Sequence, residues 1–180
     1  PVGAILNLKS YFDDKIKDEL CLLIDKLKNY SVSGNFTKRE NLHLTLVFIG
    51  ETPSNKITSI KSAMDNIQQQ PFDIKFTHIG KFKRTGGDIF WVGIDKMPAL
   101  SSVYIQLYNN LTACGFNIDS REYKPHLTLS RQMALNLPLD YDNLNSYIPK
   151  QNININKISL MKSERINGKL IYTEIYSKKL

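Results

Sequence analysis

The chain has 180 residues, 42% hydrophobic and 23% charged, with 24 Lys and Arg against 17 Asp and Glu. This length and balance fit a single soluble domain, residues 1–180, and leave no biased or low-complexity tract. They exclude a bilayer span, because every apolar run is too short, and the formal charge of +7 favours a polyanionic partner without demanding one.

Residues 3–8 read as a short buried strand, and Phe12, Ile16, Leu20, Leu23, Ile24 and Leu27 then follow at helical spacing over 12–29. The apolar opening leads straight into this polar helix, unlike a signal peptide, and Cys21 and Cys114 lack metal-ligand spacing. A reducing, cytoplasmic location is expected. Residues 31–39 are polar and read as a loop, and Asn41 to Ile49 as a strand. Thr52-Pro53-Ser54 opens a second helix carrying Ile57, Ile60, Met64 and Ile67. Phe72 to Lys83 and Ile89 to Ile94 form a hairpin around Arg84-Thr85-Gly86-Gly87-Asp88. A third helix runs from Pro98 to near Gly115, and a strand follows Pro125, whose ring favours extended geometry before it. Residues 132–150 read as a long loop, and strands over 152–162 and 169–178 turn at Asn167-Gly168. The pattern predicts an α+β fold with mostly antiparallel pairing.

One four-residue string occurs twice, as His43-Leu44-Thr45-Leu46 and His126-Leu127-Thr128-Leu129. A second match by chance has a probability on the order of 10⁻³ in a chain this long. In a strand, His43 and Thr45 share one face and Leu42, Leu44 and Leu46 the other, and the second copy behaves alike. Each copy thus presents an imidazole beside a hydroxyl on a strand held by its apolar face. Facing each other across one cleft, the two histidines suit metal-free cleavage of a phosphodiester. One takes a proton from the attacking oxygen and the other gives one to the departing oxygen, since imidazole titrates near neutrality. Thr45 and Thr128 can donate to the non-bridging phosphate oxygens. No metal or other cofactor is expected, because the usual zinc spacings are absent. His78 stands alone and reads as a surface or core histidine. Five residues after each motif histidine stand Phe48 and Arg131, an aromatic face and a guanidinium plane able to hold a base. Both lie off the histidine parity, so each strand must bend or end before them. Ser130 has that parity and is a further candidate cleft hydroxyl.

The runs Asn41-Leu42-His43-Leu44-Thr45-Leu46-Val47-Phe48-Ile49-Gly50-Glu51 and Arg121-Glu122-Tyr123-Lys124-Pro125-His126-Leu127-Thr128-Leu129-Ser130-Arg131 resemble the two motifs of the 2H phosphoesterases. Within that superfamily they look like the LigT-like RNA 2',3'-cyclic phosphodiesterases, or 2'-5' RNA ligases. The likeness extends over the opening strand, Phe90-Trp91-Val92-Gly93 and Leu160-Met161-Lys162-Ser163. The resemblance implies a bilobal pseudo-symmetric fold, with two antiparallel sheets lining a central cleft and helices outside. It implies metal-independent opening of a 2',3'-cyclic phosphate at an RNA or oligonucleotide end by a monomer, with 2'-5' ligation as a reverse side reaction. By the same resemblance His43 is the general acid, His126 the general base, Thr45 and Thr128 bind phosphate, and Phe48 and Arg131 bind the terminal base. Two alternatives keep the cleft: an RNA-binding module without turnover, and a cyclic phosphodiesterase for small nucleotides.

Overall fold

The computed structural model describes residues 2–8 and 12–180. In chain order the elements are β1 (Val2–Asn7), α1 (Asp14–Lys28), β2 (Ser31–Phe36), β3 (Thr45–Thr52), α2 (Ile57–Asp65), β4 (Phe72–Ile74), β5 (Phe76–Phe82), β6 (Asp88–Ile94), α3 (Pro98–Ala113), β7 (His126–Leu135), α4 (Tyr141–Asn145), β8 (Ile153–Ile155), β9 (Lys157–Ile166) and β10 (Lys169–Lys179). Two four-stranded antiparallel sheets result, in the orders β10-β9-β1-β3 and β2-β7-β6-β5, with β4 and β8 forming a short ribbon. The first motif strand lies in one sheet and the second in the other.

The helices follow from their apolar stripes. In α1, Ile16, Leu20, Leu23, Ile24 and Leu27 are buried at helical spacing, and the Asp13 carboxylate caps the start by accepting from the Ile16 amide at 2.8 Å. Lys26 and Lys28 complement the dipole in its last turn. Pro98 opens α3, whose Leu100, Val103, Leu107 and Leu111 are buried. α2 and α3 pack on each other and on β10 and β3, while α1 and α4 pack on each other and on β2 and β5. Among the described residues no helix is long and apolar enough to cross a membrane.

Five expectations need correction. The polar run 31–39 contains β2, which pairs with the far half of β7. Ser, Gly and Asn lack the alternation that marks a strand, and backbone pairing at a sheet edge forms it anyway. The loop expected over 132–150 holds the end of β7 and the single-turn-scale helix α4, too short to show a 3.6-residue period. The strand over 72–83 divides into β4 and β5, and that over 152–162 into β8 and β9, because each front half leaves its sheet to form the β4–β8 ribbon. The strand expected from Asn41 becomes regular only at Thr45, after a turn of 3-10 helix at Arg39–Asn41. The hairpin turn at Asn167-Gly168 is as expected, with both residues at positive φ.

One close approach shapes the second sheet. Trp91 pairs with Gly80 and Thr128, and Gly93 with His126, so these residues share a face. The indole lies over Gly80, where a Cβ would sit 2.2 Å from the ring. Gly80→Ala therefore forces the indole or the strand to move, and overpacking of this kind costs about 1–3 kcal/mol. Trp91 is the only tryptophan. Urea unfolding of Gly80→Ala should show a lower midpoint together with a shifted native emission; an unchanged midpoint and emission would mean that the ring has room to spare.

Candidate active site

Both motif strands bulge at the same point. In β3, Leu46 and Val47 are consecutive yet each only 2% exposed, and the register to β1 slips between them and Thr45. In β7, Leu129 and Ser130 are both fully buried, and the register to β6 slips there too. An extra buried residue reverses the alternation. Phe48, 68% exposed, and Arg131 are thereby returned to the histidine face, which regular strands would have denied them. Ser130 is the reverse case and a correction: the bulge turns its hydroxyl inward, where it lies 3.2 Å from Met133 Sδ.

The two imidazoles are tethered alike. His43 Nδ1 lies 2.6 Å from the Asn41 carbonyl oxygen, and His126 Nδ1 lies 2.6 Å from that of Lys124. A carbonyl only accepts, so each Nδ1 carries the proton and each Nε2 is left for chemistry. The surroundings of the rings differ. His43 is 5.0 Å from the Tyr172 ring, measured between centroids. His126 sits in an aromatic corner, with Phe82 edge-on at 5.2 Å and Trp91 at 6.0 Å. Burial in that corner pushes His126 below the usual imidazole value, and the Arg131 charge pushes the same way against the opposing Lys124 carbonyl.

Thr45 and Phe48 from one sheet, with His43 just ahead of their strand, and His126, Thr128 and Arg131 from the other sheet line a single cleft of about 810 Å³. These six candidate residues are brought together, while Ser130 and His78, the latter edge-on to Trp91, are not among the lining. Tyr104, Tyr123, Tyr172 and Phe82 also line it and were not singled out. Tyr123 alone had a signal, its place inside the second motif run; the others come from β5, α3 and β10, far from either motif. Tyr123 stacks on Tyr104 at 4.3 Å, and its hydroxyl donates to the Thr45 carbonyl at 3.1 Å. Thr37 donates in turn to the Thr128 carbonyl at 2.8 Å. Among the described residues no three His, Cys, Asp or Glu side chains are grouped as metal ligands.

These surroundings set an order of titration that NMR can read. In an imidazole titration, His126 should protonate below the ordinary histidine midpoint of about 6.5. Arg131→Gln should raise that midpoint by removing a like charge. A midpoint at or above the ordinary value, unmoved by the substitution, would contradict the aromatic corner.

The sequence profile of the 2'-5' RNA ligase superfamily matches residues 14–167. An RNA 2',3'-cyclic phosphodiesterase of Archaeoglobus fulgidus is 32% identical over 121 residues, covering 66% of this chain and 67% of that protein. Another protein of that name, from Geobacillus stearothermophilus, is 31% identical over 110 residues, and this match spans only 35% of its length. The crystal structure of Escherichia coli LigT complexed with 3'-AMP superposes with a TM-score of 0.83 at 20% identity, covering 100% of this chain and 98% of that one. The two-sheet fold is therefore shared with LigT, and the chain belongs to the 2'-5' RNA ligase superfamily.

Proposed function

We propose that the chain hydrolyses the 2',3'-cyclic phosphate at an RNA end to a 2'-phosphate, with His43 as acid and His126 as base. The observation that carries this reading is the pair of Nδ1-tethered imidazoles, one from each motif, lining the same cleft. Displacement at phosphorus brings the nucleophile in opposite the leaving group, so an acid and a base are wanted on opposite sides of one phosphate. The names of the relatives, RNA 2',3'-cyclic phosphodiesterases, agree with that chemistry.

In this mechanism His126, kept neutral by its aromatic surroundings, accepts a proton from water at Nε2 as the water oxygen bonds to phosphorus. The P–O3' bond breaks as His43 gives its Nε2 proton to O3'. A 2'-phosphate and a free 3'-hydroxyl result, and exchange with solvent restores both rings. The hydroxyls of Thr45 and Thr128 donate to the non-bridging oxygens, where negative charge builds in the transition state. Phe48 and Arg131 hold the terminal base between an aromatic face and a guanidinium plane. An RNA 5'-hydroxyl in place of water gives the reverse 2'-5' ligation. No step calls on a metal.

With an RNA 2',3'-cyclic phosphate as substrate and EDTA present, His43→Ala and His126→Ala should each lower kcat by about 10²–10⁴ while leaving the fold intact. Full activity in both variants would overturn the proposal. The pH dependence follows from the direction of the His126 shift. The base works deprotonated, so kcat/KM is full above the folded-state value and falls as pH drops through it, below about 6.5. A second, alkaline fall should appear as the acid loses its proton. A flat profile on both sides would remove the paired acid and base.

A further inference from the structure

We propose that Gln132 and Gly87 are positioning residues for the nucleobase: together they hold a second kink in β7 that turns Arg131 into the cleft. The inference rests on the hydrolase reading above, in which Arg131 holds the terminal base, and it names what aims that side chain. Among the described residues the Arg131 guanidinium makes no hydrogen bond and no ion pair, so no partner tethers it. Its direction is therefore set by the backbone that carries it. Its charge reaches both walls of the cleft: it adds to the burial that lowers His126, and it opposes the burial that raises Tyr172.

The residues on either side of Arg131 point inward. Leu129 and Ser130 before it are fully buried, and Met133 after it is 2% exposed, with its sulfur 3.2 Å from the Ser130 hydroxyl. In a regular strand every second residue shares a face, so a core-facing Met133 would send Arg131 into the core as well. One extra residue between them removes that conflict. Gln132 is the extra residue toward both neighbouring strands. Toward β6, Arg131 and Gln132 together face the single Ile89, between the pairs Asp88–Met133 and Phe90–Ser130. Toward β2, Gln132 and Met133 together face the single Gly34, between the pairs Ser33–Ala134 and Asn35–Arg131. Gln132 accordingly has a φ of 51°, in the left-handed region; among the described residues Asn167 is the other non-glycine residue there.

The strands on both sides are shaped to receive this kink. Gly87 lies against the Gln132 backbone, and a Cβ on it would stand 2.5 Å from the Gln132 carbonyl carbon and 2.8 Å from its Cα. Backbone cannot swing aside as the end of a side chain can, and the Gly87 φ of 119° asks for glycine as well. The turn that carries Gly87 is itself held. The Gly87 amide donates to the Arg84 carbonyl at 3.3 Å, the Arg84 amide to the Asp88 carboxylate at 3.1 Å, and Lys81 pairs with Asp88 at 3.1 Å. On the other flank the Asn35 side chain donates to Gln132 Oε1 at 2.5 Å. A left-handed residue persists where its surroundings over-determine it, and here β2 and β6 do so together.

The test compares Gln132→Val with Gln132→Gly. Valine, branched at Cβ, disfavours positive φ, whereas glycine enters it freely, and both changes remove the bond to Asn35. Residue 132 is exposed, so neither change alters the core. Calorimetry measures affinity for two probes, adenosine 2'-monophosphate and ribose 5-phosphate, which carries no base. Gln132→Val should weaken the nucleotide about tenfold, the scale of one base contact, and ribose 5-phosphate less than about twofold. Arg131→Ala should do the same, and combining it with Gln132→Val should add nothing. Gln132→Gly should keep its affinity for the nucleotide. On a mononucleoside 2',3'-cyclic phosphate the valine variant should raise KM by a similar factor at nearly unchanged kcat, the mark of lost ground-state binding. If Gln132→Val does not fold, Gly87→Ala reaches the same kink from the β6 side and is held to the same outcomes. Full affinity in the valine variant, additive losses in the double variant, or an equal loss in Gln132→Gly would overturn the proposal. Absence of turnover by the unaltered protein would sink the hydrolase reading alone, since the two probes judge the positioning without catalysis.

Discussion

Each motif threonine lends its carbonyl oxygen to a hydroxyl from the segment that leads into the other motif. Tyr123, three residues before His126, donates to Thr45, and Thr37, six residues before His43, donates to Thr128. The Tyr123 bond crosses from one sheet to the other, while the Thr37 bond extends the β2–β7 pairing within one sheet. Both follow from the bulges. A bulge takes residues out of the regular ladder, so nearby carbonyls need donors from elsewhere. Tyr123 is suited to supply one. Burial and the neighbouring Tyr104 push its phenol upward, so it keeps its proton, and the stack on Tyr104 fixes where the hydroxyl points. The Tyr123 bond thus ties the segment leading into the second motif to β3 of the other sheet.

Given that frame, two identical motifs acquire different electrostatics. The sequence context of His43 and His126 is the same, and so is the Nδ1 tether. What differs is brought in by other strands. β5 and β6 place Phe82 and Trp91 around His126, and Gly80 and Gly93 leave the room that those rings occupy. β10 places Tyr172 beside His43 instead. Two copies of one motif thus meet different surroundings, and in the proposed mechanism that difference is what lets one histidine serve as base and the other as acid.

That division also explains what could be read from the sequence. The HxTx repeats carry their own parity, and Leu42, Leu44, Leu127 and Leu129 state which face is buried. The Asn167-Gly168 turn is equally local. The bulges are not visible, because Leu46-Val47 and Leu129-Ser130 fit either face of a strand until pairing decides. The only hint is the position of Phe48 and Arg131, five residues after each histidine and on the wrong parity. β2 is hidden because its stability comes from backbone pairing with β7 and not from its side chains. Tyr172, Tyr104 and Phe82 are hidden for a different reason: their place in the cleft depends on which strands and helices meet, a tertiary fact with no local pattern.

The doubling of the motif itself has a geometric cause. Side chains on one strand face point the same way, so one strand cannot set groups on opposite sides of a phosphate. Two strands of one sheet do no better, since their side chains share that face. Acid and base on opposing sides require two sheets turned toward each other, each giving one histidine and one hydroxyl.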